Sequence, residues 1–283
     1  MRPEIPIIDA LYYPPHFRNL QGPQDCQEPV DRALQNMNSA GVAKVLVTQC
    51  KEWSCERQWM CIDTCLDDVL RYTRVTPQRF VGMAGYNPFA ISESLAEIEH
   101  AVRDCGFRGV YVNAESFGLP LSDRHMYPLF AKAAELGVAV MLQLSAPDST
   151  HIWKLRFQDL EPVAADFADL PLVATQFGWP ARIEITPTMS AYPNVHFAID
   201  GSRLREPAWV KDFLQTDLAQ ERCIWGSNGI PWPAALGELD RLELPVPILK
   251  KLLHDNAARV FKFDELLSVK LSAPQGEPVI AER

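Results

Sequence analysis

The sequence predicts a single α/β domain, a TIM-like (β/α)8 barrel in which eight strands alternate with helices. Three observations carry that prediction. Continuous apolar runs of strand length, such as VAVMLQLS at 138–145, recur along the chain and read as strands buried on both faces of a parallel sheet. Between them lie segments with apolar residues at helical spacing, several of them stopped by a glycine where a helix C-cap belongs. No linker-like or low-complexity stretch interrupts the 283 residues, and a barrel of this length is commonly one domain. An open doubly wound sheet is the alternative arrangement of the same elements. The barrel is expected over residues 1–267, with 268–283 a loosely held C-terminal tail.

Taken in order, IPIIDALYY (5–13) forms the first strand, ended by Pro14 and Pro15, and alternation places Asp9, Leu11 and Tyr13 on one face. A helix over about Val30 to Ala40 stops at Gly41 and leads into a second strand, 42–50. Residues 53–75 read as a long helix, with Pro77 beyond its end. The third strand is 79–88, followed by an amphipathic helix (91–106) with Leu95, Ile98, Val102 and Cys105 on one side. In FRGVYVNAE (107–115), Val110 and Val112 alternate with Tyr111 and Asn113, which is strand periodicity. The loop SFGLPLSD follows, with Ser122 or Asp123 as N-cap of a helix that carries Tyr127, Phe130, Ala131, Ala134 and Leu136 and ends at Gly137. The fifth strand, 138–145, gives way to a polar loop and a helix ending near Phe167. Strands at 171–178, 194–201 and 222–229 then alternate with helices at 181–190 and 207–219, and a helix pair over 245–261 closes the fold.

Composition narrows the function. No apolar run approaches the roughly 20 residues of a membrane span. The N-terminus lacks a basic segment followed by an apolar one, so no signal peptide is read and a cytoplasmic protein is expected. A formal charge of −9 argues against nucleic acid as a partner, whereas local arginines leave room for a small anionic substrate. Seven cysteines, an odd number, point to reduced thiols rather than disulfides. Cys50, Cys55, Cys61 and Cys65 cluster but match no zinc spacing, and they read as small buried hydrophobes. The chain has no Gly-rich phosphate loop and no GxSxG elbow.

In such folds the chemistry sits at the C-terminal ends of the strands, here Asn113, Glu115, Gln143 and Ser145. Several stretches resemble the amidohydrolase superfamily, in particular the amidohydrolase-related branch that contains non-oxidative carboxylate decarboxylases. The carriers are IID in the first strand, GFRGVYVN (106–113), PLFAKAAELGVAVMLQLS (128–145), ATQFGWP (174–180), YPNVHFAID (192–200), WGSNGIPW (225–232) and DNAARVF (255–261). The resemblance spans nearly the whole chain in order and implies a barrel with a metal centre at its mouth. Laid on this chain, the family's metal-ligand positions fall at Leu11, Tyr13, Gln143, Gln176 and Asn228. None of these is a good divalent-metal ligand: Leu cannot coordinate, neutral amides suit zinc poorly, and a phenol would have to ionise. No metal and no cofactor are therefore expected. Zinc lowers the pKa of bound water from about 15.7 to about 7, so about 12 kcal/mol of nucleophile activation is absent without it. The family includes a metal-independent lactonase branch, but that branch relies on a strand-eight Asp as base, and Asn228 stands there.

The expected catalytic groups are Tyr13, His16, Asp9 and Asp200. Asp9 has an equal structural reading as a carboxylate bonded to backbone N–H groups. Asp200, beside Arg203 and Arg205, is read either as half of a loop-holding ion pair or as a neighbour of a carboxylate-binding arginine. Gln143, Gln176, Asn228 and Asn113 would orient a polar substrate or stabilise an oxyanion without titrating, with Arg203 and Trp225 completing the binding set. Tyr111, Trp179 and Trp232 extend an aromatic-lined pocket. His125 and His151 lie in strand-end loops, His100 and His254 on outer helices, and His196 near the barrel bottom, where stability is its better reading. Cys50 closes the second strand without a visible base beside it. These residues predict a metal-independent enzyme that decarboxylates, eliminates, isomerises or cyclises a small carboxylated or polyoxygenated molecule. Hydrolysis of a lactone or activated ester is the nearest competitor, and a non-catalytic ligand-binding barrel is the reading from another class. A homodimer is compatible by analogy.

Overall fold

In the computed structural model the described residues are 5–14, 30–54, 58–144, 157–175, 182–200 and 207–263. Eight strands form one sheet: β1 (Ile7–Tyr12), β2 (Val42–Thr48), β5 (Phe80–Gly85), β6 (Gly109–Asn113), β7 (Ala139–Gln143), β8 (Leu172–Thr175), β9 (Val195–Asp200) and β10 (Cys223–Gly226). They follow one another in that order, and each laddered pair is parallel. The first and last strands also meet. The N–H of Asn228 donates to the Leu11 carbonyl at 2.9 Å, and a Cβ placed on Gly226 would lie 2.6 Å from the Leu11 Cβ. A glycine is required at that seam, where the two backbones approach more closely than any side chain permits. This junction makes the sheet a barrel rather than an open doubly wound sheet.

Period-two alternation sorts the strand residues into two layers. Leu46, Val81, Met83, Tyr111, Met141, Val173, Ala198 and Ile224 fill the lumen, joined by Phe261 and Phe263 from the C-terminal end of the described chain. Val45, Val47, Val110, Val112, Val140, Leu142, Leu172 and Ala174 face outward to the helices. Burial on both faces is why the strands read as unbroken apolar runs. The outer helices are α1 (Val30–Ala40), α2 (Leu66–Thr73), α3 (Ile91–Arg103), α4 (Tyr127–Leu136), α5 (Glu161–Asp166), α6 (Arg182–Ala191), α7 (Pro207–Leu214), α8 (Asp217–Arg222) and α9 (Trp232–Asp240). A last helical run comprises α10 (Val246–Lys250), one π turn (Lys251–Asp255) and α11 (Asn256–Val260). Gly137 caps α4 at φ +66°, as its position implied. None of the described helices is long and apolar enough to cross a membrane.

Several elements differ from expectation. The long helix over 53–75 is instead an antiparallel hairpin, β3 (Lys51–Ser54) and β4 (Trp59–Asp63), followed by the short α2. Tertiary contacts override helical propensity there: Trp53 sits edge-on to Phe89 at 5.1 Å, and its N–H donates to Ser116 Oγ at 3.3 Å. The helix at 207–219 is broken in two because Thr216 caps α8, accepting from the Ala219 N–H. Neither Ser122 nor Asp123 caps α4; Met126 takes that place, and Asp123 accepts the His125 N–H at 2.8 Å. The alternation expected of Asp9, Leu11 and Tyr13 is broken by a bulge. Asp9 pairs with Val45 and Tyr12 with Val47, three steps on β1 against two on β2. Leu11 and Tyr13 stay in the lumen, while Asp9 is turned toward β10 and α9. The tail at 268–283 lies outside the described residues.

His196 lies buried near the start of β9. Burial, reinforced by Arg259 and Arg222, lowers its pKa from 6.5 to about 4. The unfolded chain therefore takes up a proton below about pH 6.5 that the folded barrel refuses down to about pH 4, so stability falls as pH drops through that interval. At pH 5 the loss is about 2 kcal/mol relative to pH 7, and chemical unfolding at both pH values measures it. A His196→Gln protein is expected to lose most of that pH dependence; an unchanged difference between the two pH values sinks the assignment.

Candidate active site

The lumen-facing residues at the C-terminal strand ends are Leu11 and Tyr13 after the β1 bulge, Thr48 on β2, Tyr111 and Asn113 on β6, Gln143 on β7, Thr175 on β8 and Asp200 on β9. All are buried, Tyr13 being 2% exposed, Tyr111 1% and Gln143 3%. A hydrogen-bonded line joins three of them across the mouth. Tyr13 Oη donates to Tyr111 Oη at 2.7 Å, and Tyr111 Oη donates to Gln143 Oε1. The polarity follows from the far end: an amide oxygen only accepts, so Tyr111 must give its proton to Gln143 and receive that of Tyr13. The two rings meet edge-to-face with centroids 5.8 Å apart, which fixes the phenols against each other. Two of the expected site residues, Tyr13 and Gln143, are thus brought together. Tyr111, expected only as pocket lining, is the group that joins them; its place on the Asn113 face of β6 was the signal for it.

Asp9 occupies a different position. Its Oδ1 accepts the N–H groups of Leu11 (3.1 Å) and Ser227 (2.8 Å), and its Oδ2 accepts Trp232 Nε1–H at 2.7 Å. Burial pushes its carboxyl up from the ordinary value, against the opposing pull of Ser227 and Trp232. Trp232 stacks on Tyr12 at 5.2 Å, so the carboxylate clasps β1, β10 and α9 together. That geometry matches the structural reading of Asp9 and is not that of a proton carrier facing the lumen.

The remaining expected residues divide. Asp200 is buried on the lumen face of β9, opposite Gly226 in the parallel ladder. Asn228 holds a left-handed backbone at φ +55°, tolerable for asparagine, and its N–H supports the β1–β10 seam. Asn113 serves its own loop, Oδ1 accepting the Ser116 N–H at 3.3 Å. Trp225 does not line the mouth: alternation on β10 puts Ile224 in the lumen and Trp225 in the outer apolar layer. Cys50 lies in the lumen cluster, Glu115 in a short helical turn beyond β6, and His125 is tied to Asp123 by a 2.6 Å contact. His100 and His254 lie near Asp104 and Asp255. His16, Gln176, Arg203, Ser145, His151 and Trp179 fall outside the described residues. Apart from the mouth, a cavity of about 450 Å³ is lined by Pro120, Leu121, Asp159, Glu161 and Tyr192.

The profile of the amidohydrolase family matches residues 33–263, most of the chain. The chain belongs to the amidohydrolase family. It is 34% identical over 89 residues to a 2-keto-4-carboxy-3-hexenedioate hydratase of Sphingobium, a match covering 29% of this chain and 26% of that protein. Its fold is similar to an uncharacterised TIM-barrel protein from Bordetella bronchiseptica, at a TM-score of 0.71 and 20% identity, over 90% of this chain and 98% of that one. It is also similar to a 5-carboxyvanillate decarboxylase from Novosphingobium aromaticivorans complexed with manganese. That likeness has a TM-score of 0.63 and 16% identity, over 90% of this chain and 94% of that one. These likenesses show the barrel. The aligned part spans about a quarter of the hydratase.

Among the described residues, those at the positions that the resemblance assigns to metal ligands do not fit a divalent ion. Leu11 has no donor atom, the Tyr13 phenol is protonated and bonded to Tyr111, and Gln143 Oε1 accepts from Tyr111. Among the described residues, no three His, Cys, Asp or Glu side chains converge where they could hold a metal ion.

Proposed function

We propose that this amidohydrolase-family chain is a metal-independent enzyme that adds or removes a small group, water or carbon dioxide, on a small carboxylated molecule by acid–base chemistry. The observation that carries this is the Tyr13–Tyr111–Gln143 line, a proton-bearing array set at the strand ends where the family resemblance implies metal ligands. Tyr13 moves the proton, and the Gln143 amide orients the substrate or stabilises an oxyanion. Decarboxylation and dehydration suit the residues better than hydrolysis because neither needs a metal-activated water. The relatives support the substrate class: one acts on a keto-carboxy-hexenedioate as a hydratase, and a structural neighbour is a carboxyvanillate decarboxylase. Lactone or activated-ester hydrolysis is the weaker enzymatic alternative. The burial of Leu11 and Tyr13, 0% and 2% exposed, favours a second reading, a non-catalytic ligand-binding barrel.

The test combines metal analysis with turnover. Protein purified without chelator is assayed on unsaturated oxo-dicarboxylates for hydration by ultraviolet absorbance, and on hydroxybenzoates for carbon dioxide release. Turnover that persists in EDTA, with less than stoichiometric zinc or manganese, is the expected result. A tightly bound divalent ion whose removal abolishes turnover overturns metal independence, and binding without turnover on either panel selects the non-catalytic reading.

A further inference from the structure

Two threonines complete the strand ends, and none of the described residues takes up their hydroxyls. Thr48 closes β2 and shares the face of Leu46; Thr175 closes β8 and shares the face of Val173. Leu46 and Val173 belong to the lumen, so both threonines face the inside of the mouth. Both residues are 0% exposed, and among the described residues neither Oγ1 has a hydrogen-bond partner. Several other buried hydroxyls are satisfied: Ser94 Oγ donates to Asn87 O, Ser116 Oγ to Asn113 O and Thr188 Oγ1 to Glu161, whereas Thr76 Oγ1, away from the strand ends, shares the open state of the two. A buried hydroxyl without a partner is costly, and these two sit together at the chemical end of the barrel, where a bound molecule would supply the missing partners.

Their placement says what. In the strand order, β2 and β8 are four places apart in an eight-stranded ring, so the hydroxyls face each other across the lumen. The Tyr13–Tyr111–Gln143 line runs from β1 to β6 and β7, leaving Thr48 on one side and Thr175 on the other. A molecule resting on that line can present one oxygen to each hydroxyl. We infer that Thr48 and Thr175 are specificity-determining residues, each donating a hydrogen bond to an oxygen of a small dicarboxylated or oxo-carboxylated ligand held in the barrel mouth. Identifying the ligand as a carboxylate rests on the function proposed above; the hydroxyl geometry stands apart from it.

Valine replaces threonine with the same shape and no hydroxyl. The experiment compares Thr48→Val, Thr175→Val and the double variant with the native chain, by melting temperature and by calorimetric titration with fumarate, 2-oxoglutarate and isophthalate. Because neither hydroxyl bonds to any described residue, each single variant should melt within about 1 °C of the native chain or slightly above it. Affinity for whichever probe binds best should fall about tenfold in each single variant and further in the double. A melting temperature lowered by several degrees would show that the hydroxyls serve the fold and would overturn the inference. So would unchanged affinity with unchanged stability, or failure of the native chain to bind any of the three probes. Binding that depends on both hydroxyls, in a chain that turns nothing over, would uphold this inference and sink the catalytic reading instead.

Discussion

Replacing Asp9 by alanine is expected to lower the melting temperature by about 10 °C, from a loss of about 4 kcal/mol. Three N–H donors end on this one carboxylate: Leu11 and Ser227 on Oδ1 and Trp232 on Oδ2. The residue is 0% exposed, so no water replaces the lost acceptor. Each donor left unsatisfied costs about 1–3 kcal/mol, and the three do not add fully because the loop after β10 can shift. The site also closes the barrel, since β1 and β10 are joined by the Asn228 N–H to Leu11 O bond and by this clasp. Asp9→Asn separates the structural role from a catalytic one. Asparagine keeps one acceptor oxygen for Leu11 and Ser227 but sets an N–H2 group against the Trp232 N–H, so a drop of about 2 kcal/mol is expected. That loss is partly offset because burial disfavours the carboxylate that asparagine removes. If Asp9 were instead a general base, Asp9→Asn would leave the melting temperature in place and abolish turnover. Thermal melts of both variants decide, and an Asp9→Ala protein within about 2 °C of the native chain sinks the clasp.

The barrel was legible in the sequence because its determinants are local. Alternation, apolar runs and glycine caps such as Gly137 are read within a dozen residues, and a parallel sheet buried on both faces leaves little ambiguity about where strands lie. What escaped depends on register and on partners distant in the chain. The bulge between Asp9 and Tyr12 shifts side-chain parity by one, and no residue in IPIIDALYY announces it. Trp225 was expected at the pocket because aromatics at strand ends suggest one, yet its parity with Cys223 sends it outward. The clasp of Asp9 with Ser227 spans 218 residues and the Tyr13–Tyr111 bond spans 98, so neither can be read from spacing. The β3–β4 hairpin was hidden because its apolar residues also fit a helical pattern, and only its packing on Phe89 and Ser116 selects the strands.

Tyr13→Phe is expected to reduce turnover by about 10²–10⁴-fold, the range for loss of a general acid or base. Phenylalanine fills the same space in the lumen, so the fold is kept, and losing the bond to Tyr111 costs about 1 kcal/mol. The line has two proton arrangements. With Tyr13 protonated, its O–H donates to Tyr111, and Tyr111 donates to Gln143. Under the proposed function, once Tyr13 has given its proton to the substrate, the Tyr111 O–H would turn from Gln143 to the new phenolate and stabilise it with a charge-assisted bond. Gln143 therefore competes with Tyr13 for one proton, and that competition predicts how the three variants differ. Tyr111→Phe removes the stabilising donor and should cost about 10–100-fold while leaving substrate affinity nearly unchanged. Gln143→Leu removes the competitor, commits the Tyr111 proton to Tyr13 and should move the alkaline limb of the rate profile to lower pH. A purely packing role for Tyr111 or Gln143 would change the melting temperature without moving that limb. Rate–pH profiles of the three variants provide the measurement, and a Tyr13→Phe protein with undiminished turnover removes the phenol from the mechanism.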